Sequence, residues 1–115
     1  MNLEQRIAAF AKLGNFLKQF TVSKIEKNED SKFNNLFFDA FKMQINRAQE
    51  FNGWFTKENV LYAIESWSIA LTDENLRKWT SAYKIEENKN HKNIAIVMAG
   101  NIPLVGFYDF FSVFI

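Results

Sequence analysis

Apolar residues recur at steps of three and four positions through the first 20 residues, with polar residues between them. This is the spacing of one face of an α-helix. Gly14 weakens the middle of such a helix by about 1 kcal/mol relative to alanine. Residues 22–32 are polar and charged, and we expect a connection there. The pattern predicts a first amphipathic helix whose apolar face is Leu3, Ile7, Phe10, Leu13, Leu17 and Phe20.

The helical spacing returns over about residues 34–50 and in two further segments that share one local pattern. Asn52-Gly53 indicates the end of the second helix, because glycine accepts the left-handed conformation common there. Residues 55–60 read Phe-Thr-Lys-Glu-Asn-Val, and residues 71–76 read Leu-Thr-Asp-Glu-Asn-Leu. In each, threonine is suited to cap the helix, and the apolar residue before it can pack on the one at N4. We interpret the match as convergent capping of a third and a fourth helix.

The pattern changes after residues 84–93, a polar stretch that we expect to be a surface loop with a solvated His91. Residues 94–99 read Ile-Ala-Ile-Val-Met-Ala, a continuous apolar run typical of a strand buried on both faces. Residues 100–103 predict a turn. Residues 104–115 predict a helix with Pro103 near its first position, where a missing N–H does no harm.

Strand, turn and helix form the first half of a βαβ unit, yet no second strand follows. The chain also stops on an apolar string, so we expect a truncated protein. The predicted fold class is mainly α. A helical N-terminal region of about four helices spans residues 1–93, and the incomplete start of an α/β cofactor-binding domain spans residues 94–115.

Composition argues against several classes of protein. Hydrophobic residues make up 48% of the chain and the net charge is +1, which argues against disorder and against a nucleic-acid-binding protein. There is no cysteine and only one histidine, so a disulfide, a thiol nucleophile and a zinc site are not expected. The N-terminus has the early acid Glu4 and no long apolar run, which argues against a secretory signal and predicts a cytoplasmic protein.

Residues 94–115 also have nearly the length and apolarity of a membrane span. Three residues argue against that interpretation. Asp109 at a helix centre would cost about 2.5–3.5 kcal/mol on insertion. Pro103 would break the helix, and Asn101 is polar. We therefore expect no membrane span.

Residues 97–104, Val-Met-Ala-Gly-Asn-Ile-Pro-Leu, resemble the strand-to-helix turn of the aldehyde dehydrogenase superfamily. The closer similarity is to the Ala-Gly-Asn-(Ile/Val)-Pro turn of bacterial long-chain fatty acyl-CoA reductases, first known from luminescence systems. Residues 52–59 and 70–76 also resemble the helical part of that branch in Bacteroidetes-type bacteria, so the likeness covers nearly the whole chain. It implies the N-terminal part of an enzyme that reduces fatty acyl-CoA to an aldehyde with NADPH.

The resemblance implies a role for Asn101. In the superfamily, the asparagine of this turn donates its amide to the oxyanion of the thiohemiacetal intermediate. Such a donor is worth about 3–4 kcal/mol. Gly100 replaces the family-wide aromatic residue, and the backbone near Gly100, Ile102 and Pro103 would border the nicotinamide. The catalytic cysteine and the glycine-rich cofactor turn come later in the family, so we expect these 115 residues alone to be inert and to bind no cofactor.

Other interpretations follow from the residues without the resemblance. Asn101 is then a turn residue, selected for its conformational tolerance. The chain is then a free-standing helical interaction module, whose apolar C-terminal segment docks on a partner or on another copy. A small membrane-anchored helical protein is a third interpretation. The Phe and Trp stripes indicate core packing, with an acyl-chain or subunit contact as the alternative.

Overall fold

A computed structural model describes residues 1–86 and 92–115 and confirms that the chain is mainly helical. His91 and part of the surface loop predicted around it lie outside the described residues. Within them, pairing between extended segments is limited to an isolated antiparallel bridge of Phe20 with Ile25. The five helices of the described residues are α1 (Leu3–Leu17), α2 (Asn34–Phe51), α3 (Lys57–Ala70), α4 (Asp73–Thr80) and α5 (Val105–Phe114).

The predicted caps of α3 and α4 are confirmed. Thr56 Oγ1 accepts a hydrogen bond from the backbone N–H of Asn59, and Thr72 Oγ1 accepts one from that of Asn75, each at 3.2 Å. At α1, the side chain of Asn2 accepts from the N–H of Gln5, whose own side chain accepts in return from the N–H of Asn2. These bonds satisfy N–H groups that have no partner within the helix.

The core is built where α1 packs against α3 and α4, and where α2 packs against α3. The apolar face predicted for α1 lies in this core, with Ile7 and Phe20 almost completely buried. α1 approaches the end of α3 closely at Gly14, where a side chain would meet the backbone of Leu71. The helical periodicity of residues 3–20 therefore predicted the inward face of the first helix correctly.

The strand predicted over residues 94–99 is not formed in this structure. Those residues lie outside helix and strand, and Ile94, Val97 and Met98 are exposed, Val97 at 95%. A buried parallel strand takes its hydrogen bonds and its burial from neighbouring strands. Residues 1–86 and 92–115 contain no strand that could supply them.

The helix predicted after Pro103 is confirmed, but it begins at Val105, and Leu104 at its N-cap has a left-handed φ of 59°. Pro103 therefore lies before the helix and not at its first position. α5 packs on the helical region through aromatic rings: the Phe111 centroid lies 4.9 Å from that of Phe10 and 5.0 Å from that of Trp79. Among the described helices, none has the length and apolarity needed to cross a membrane.

Candidate functional site

The turn that carries Asn101 is a surface feature at the start of α5. Gly100, Asn101 and Ile102 are exposed, and Pro103 is half-buried. The N–H of Val105 donates to the carbonyl of Ile102 at 3.3 Å, which closes the turn onto the helix. The Asn101 side chain therefore stands on an exposed turn at a helix start, as the sequence predicted for residues 100–103.

Asn52 holds this turn from the end of α2. Its side-chain Nδ2 donates to the carbonyl oxygen of Gly100 at 2.7 Å, across 48 residues of sequence. Its Oδ1 accepts from the backbone N–H of Trp54 at 3.0 Å, and its carbonyl accepts from the N–H of Phe55 at 2.8 Å. One asparagine thus shapes the turn after α2 and anchors the turn before α5.

The prediction that a glycine in the left-handed conformation ends α2 is wrong. Gly53 has a negative φ, and the cap is Asn52 itself in an extended conformation with φ −146°. The side chain of Asn52 supplies the turn geometry through its bond to the N–H of Trp54. Asparagine therefore carries out the local role that the sequence interpretation gave to glycine.

The predicted cofactor-bordering residues form an open edge and not a cleft. A Cβ built on Gly100 has nothing within 4 Å, so this face of the turn is open. The free space beside the Gly100 backbone allows a planar ligand to approach closely, but the turn alone does not enclose a binding pocket. In the part of the chain that the structure describes, no cluster of three or more His, Asp or Glu side chains is placed to hold a metal ion.

A second candidate site, which sequence reasoning missed, is a groove of about 910 Å³ between α1 and α2. It lies where exposed alanines of α1 face aromatic residues of α2, and its lining also includes Leu13 and Leu17 from the predicted apolar face of α1. Phe37 is 55% exposed in this groove. The apolar wall is formed by Ala8, Ala9, Leu13, Phe33, Phe37 and Phe41.

A polar cavity of about 770 Å³ adjoins the groove and shares Lys12, Phe16 and Phe33 with it. Five lysines and three carboxylates line it, mostly from the segment between α1 and α2. One of the lysines, Lys24, forms an ion pair with Glu26 and holds the pKa of that carboxyl below its usual value. The sequence pattern predicted only a polar connection over residues 22–32, although five lysines between residues 12 and 32 are visible in the sequence.

Comparisons of this chain with protein-family models, with curated proteins and with solved structures found no match. The likeness to acyl-CoA reductases therefore rests on the residues quoted above. Two of its segments, residues 52–59 and residues 97–104, are the ones that Asn52 joins through Gly100.

Proposed function

We propose that this chain is the N-terminal part of an enzyme of the fatty acyl-CoA reductase type, which reduces a fatty acyl-CoA to an aldehyde with NADPH. The observation that carries the proposal is the hydrogen bond from Asn52 to Gly100. It joins two segments that independently resemble the same family. Contact between them supports a shared role in building one turn. A cytoplasmic location is part of the same proposal.

In this proposal, Asn101 is the oxyanion donor. Its neighbour Gly100 is fixed by Asn52, and three residues after it the docked helix α5 begins. An amide on a turn that is held at both ends keeps its direction as negative charge develops on the substrate oxygen, which is the condition for electrostatic catalysis. Exposure of Asn101 leaves its amide accessible to the remainder of the enzyme.

The cofactor and the thiol belong to the intact enzyme. Gly100, Ile102 and Pro103 would contribute one open edge of the nicotinamide site, since the backbone at Gly100 has free space beside it. We also propose that residues 94–99 pair as the first strand of the α/β domain in the intact enzyme. Their exposed apolar side chains support this, because a contiguous exposed apolar segment usually marks a surface that another element covers.

The test is an NADPH oxidation assay on the intact protein with long-chain acyl-CoA, after its coding sequence has been read beyond the codon for Ile115. The variant Asn101→Ala is expected to lower kcat about 100- to 1000-fold, as removal of one oxyanion donor does elsewhere. Asn93→Ala, at an exposed asparagine outside the turn, is the matched control and is expected to retain activity. Equal activity of Asn101→Ala and wild type would remove Asn101 from the mechanism.

A helical interaction module is the second candidate, and exposed apolar side chains near the C-terminus favour it. Val97, Met98, Ile102, Val113 and Phe114 are all about half exposed or more. In that case they would dock on a partner or on a second copy. Sedimentation analysis separates the two candidates: a complex of fixed stoichiometry favours the module, whereas a monomer at all concentrations argues against self-association.

A further inference from the structure

We propose that the groove between α1 and α2 binds a long-chain acyl amphiphile with an anionic head group. The acyl chain lies along the apolar groove, and the head group lies among the lysines of the adjoining cavity. The groove is separate from the Asn101 turn. Acyl binding in the groove is possible whether the chain belongs to a reductase or to a binding protein, because both would use the same site.

The shape of the groove favours a long, thin apolar ligand. Its lining runs from Met1 along α1 to Leu17, and α1 itself is about 21 Å long at 1.5 Å per residue. Ala8 and Ala9 are exposed on this face, so α1 presents backbone and methyl groups where longer side chains would fill the space. The volume of about 910 Å³ lies within the range of small-molecule sites.

The aromatic wall supplies the apolar contact. Phe33 and Phe41 are half-buried and Phe37 is exposed, so each ring has surface that a ligand can cover. Burial of such surface is the main driving force for binding an acyl chain. Polar residues of the lining, among them Gln5 and Gln44, are exposed side chains of the two helices.

The charges of the adjoining cavity select the head group. Five lysines against three carboxylates leave an excess of two positive charges, and the pair of Lys24 with Glu26 leaves that excess unchanged. Lys12 lines both cavities, so this residue lies where the groove for the acyl chain meets the cavity for the head group. An anionic group at that end of the chain complements this charge.

The lysine-bearing segment is held in place by buried hydrogen bonds. Gln19 Oε1 accepts from the backbone N–H of Asn28 at 2.8 Å, and Asn34 Nδ2 donates to the carbonyl of Asn28 at 2.5 Å. The segment is therefore tied at Asn28 to Gln19, two residues after α1 ends, and to Asn34, the first residue of α2. A site whose walls are fixed before binding loses less entropy when the ligand arrives.

The experiment is calorimetric titration of the 115-residue chain with palmitoyl-CoA, palmitate, hexanoyl-CoA and CoA, each below its micelle concentration. Palmitoyl-CoA and palmitate are expected to bind with a stoichiometry of one. Hexanoyl-CoA and CoA are expected to bind at least about tenfold more weakly, because apolar burial dominates the affinity. Tighter binding of palmitoyl-CoA than of palmitate would identify phosphate as the preferred head group, and the reverse order would identify carboxylate.

Two pairs of variants test the location. Ala9→Trp fills the groove and is expected to weaken palmitoyl-CoA binding at least tenfold, whereas Ala82→Trp, at another exposed alanine, leaves it unchanged. Lys12→Glu is expected to weaken binding and to reduce its dependence on salt. Lys42→Glu, exposed on α2 but outside both linings, is its control.

Absence of saturable binding, or full affinity in Ala9→Trp, overturns the proposal. So does a dimer of the wild-type chain that Ala9→Trp converts to monomer, because a second copy then occupies the groove. These outcomes are independent of the reductase assay on the intact protein. Reduction of acyl-CoA without binding to this chain would refute the groove alone, and binding without reduction would refute the reductase alone.

Discussion

Gln19 and Asn34 form a buried reciprocal pair of amide hydrogen bonds that joins the segment just after α1 to the start of α2. Asn34 Nδ2 donates to Gln19 Oε1 at 2.7 Å, and Gln19 Nε2 donates to Asn34 Oδ1 at 2.8 Å. Gln19 also donates to the carbonyl of Phe16 at 3.0 Å. Both residues are more than 90% buried, and this network satisfies their amide groups.

Asn34→Ala is therefore expected to lower the free energy of unfolding by about 1–3 kcal/mol, because it leaves the buried Gln19 amide without its partner. Urea unfolding followed by circular dichroism measures the loss. Asn35→Ala is the matched control: the same residue type in the same turn of α2, but exposed, and expected to change stability by less than about 0.5 kcal/mol. Equal effects of the two variants would contradict a structural role for the pair.

Gly14 is required by the approach of α1 to the end of α3. A Cβ on Gly14 would lie 2.1 Å from the carbonyl oxygen of Leu71 and 2.9 Å from its Cβ. In an isolated helix, replacement by alanine stabilises by about 1 kcal/mol. Here the backbone of Leu71 must move, and overpacking of this kind costs about 1–3 kcal/mol.

Gly14→Ala is thus expected to lower the free energy of unfolding, although helix propensity alone predicts that it would raise it. The measurement is the midpoint of thermal or urea unfolding. Gly53→Ala serves as the control, since a Cβ there meets nothing within 4 Å and its φ is negative. A Gly14→Ala variant as stable as wild type or more so would show that the two helices do not approach this closely.

Features that depend on neighbouring residues in the sequence were predictable. The caps at Thr56 and Thr72 depend on a residue three positions away, and the face of α1 depends on steps of three and four. The pair of Gln19 with Asn34 was not predictable, because an isolated polar residue reads as surface until its partner is known. The hydrogen bond from Asn52 to Gly100 was not predictable either, because its two residues lie 48 positions apart in the sequence.

Two features of the candidate sites show where sequence patterns fail. The apolar run of residues 94–99 has the composition of a buried strand, but composition does not supply the neighbouring strands that such a strand needs. The predicted apolar face of α1 reaches the groove between α1 and α2 at Leu13 and Leu17, but the small residues Ala8 and Ala9, which leave room for the groove, are not part of that face. Helical periodicity predicts which face of a helix is apolar, but it does not predict where small side chains leave a groove between two helices.

Phe111 is expected to be the main anchor of α5. It is 5% exposed, and its ring packs with those of Phe10 and Trp79. Phe111→Ala is expected to lower the free energy of unfolding by about 3–5 kcal/mol, as large-to-small changes in aromatic cores do. The near-ultraviolet circular dichroism of the tryptophans is expected to weaken with it, since Trp79 loses a neighbour.

Phe114→Ala provides the comparison on the same helix. The ring of Phe114 is 48% exposed, so its removal is expected to cost clearly less than that of Phe111. If Phe111→Ala cost no more than Phe114→Ala, α5 would not be docked on the helical region. The anchoring of the Asn101 turn at its C-terminal end would then be lost as well.

Glu4 and Arg77 join the start of α1 to α4 in a two-pronged ion pair, with N···O distances of 2.7 and 2.9 Å. The hydrogen bond from Arg77, with its positive charge, lowers the pKa of Glu4 below its ordinary 4.5. A carboxyl whose pKa is lowered by folding stabilises the fold above the unfolded value, and the contribution is lost as the pH falls through the folded value. We therefore expect Glu4→Gln to be less stable than wild type at pH 7 and equal to it at pH 2.

The pH dependence is measured by urea unfolding at low ionic strength, because the Arg77 and Glu4 side chains are 49% and 64% exposed and salt screens their interaction. Arg77→Lys is expected to lose most of the same effect, since lysine cannot bind a carboxylate with two parallel N–H groups. Asp39→Asn, at an exposed position of α2, corrects for the loss of one negative charge. A stability difference for Glu4→Gln that stayed constant from pH 7 to pH 2 would mean that the ion pair does not contribute.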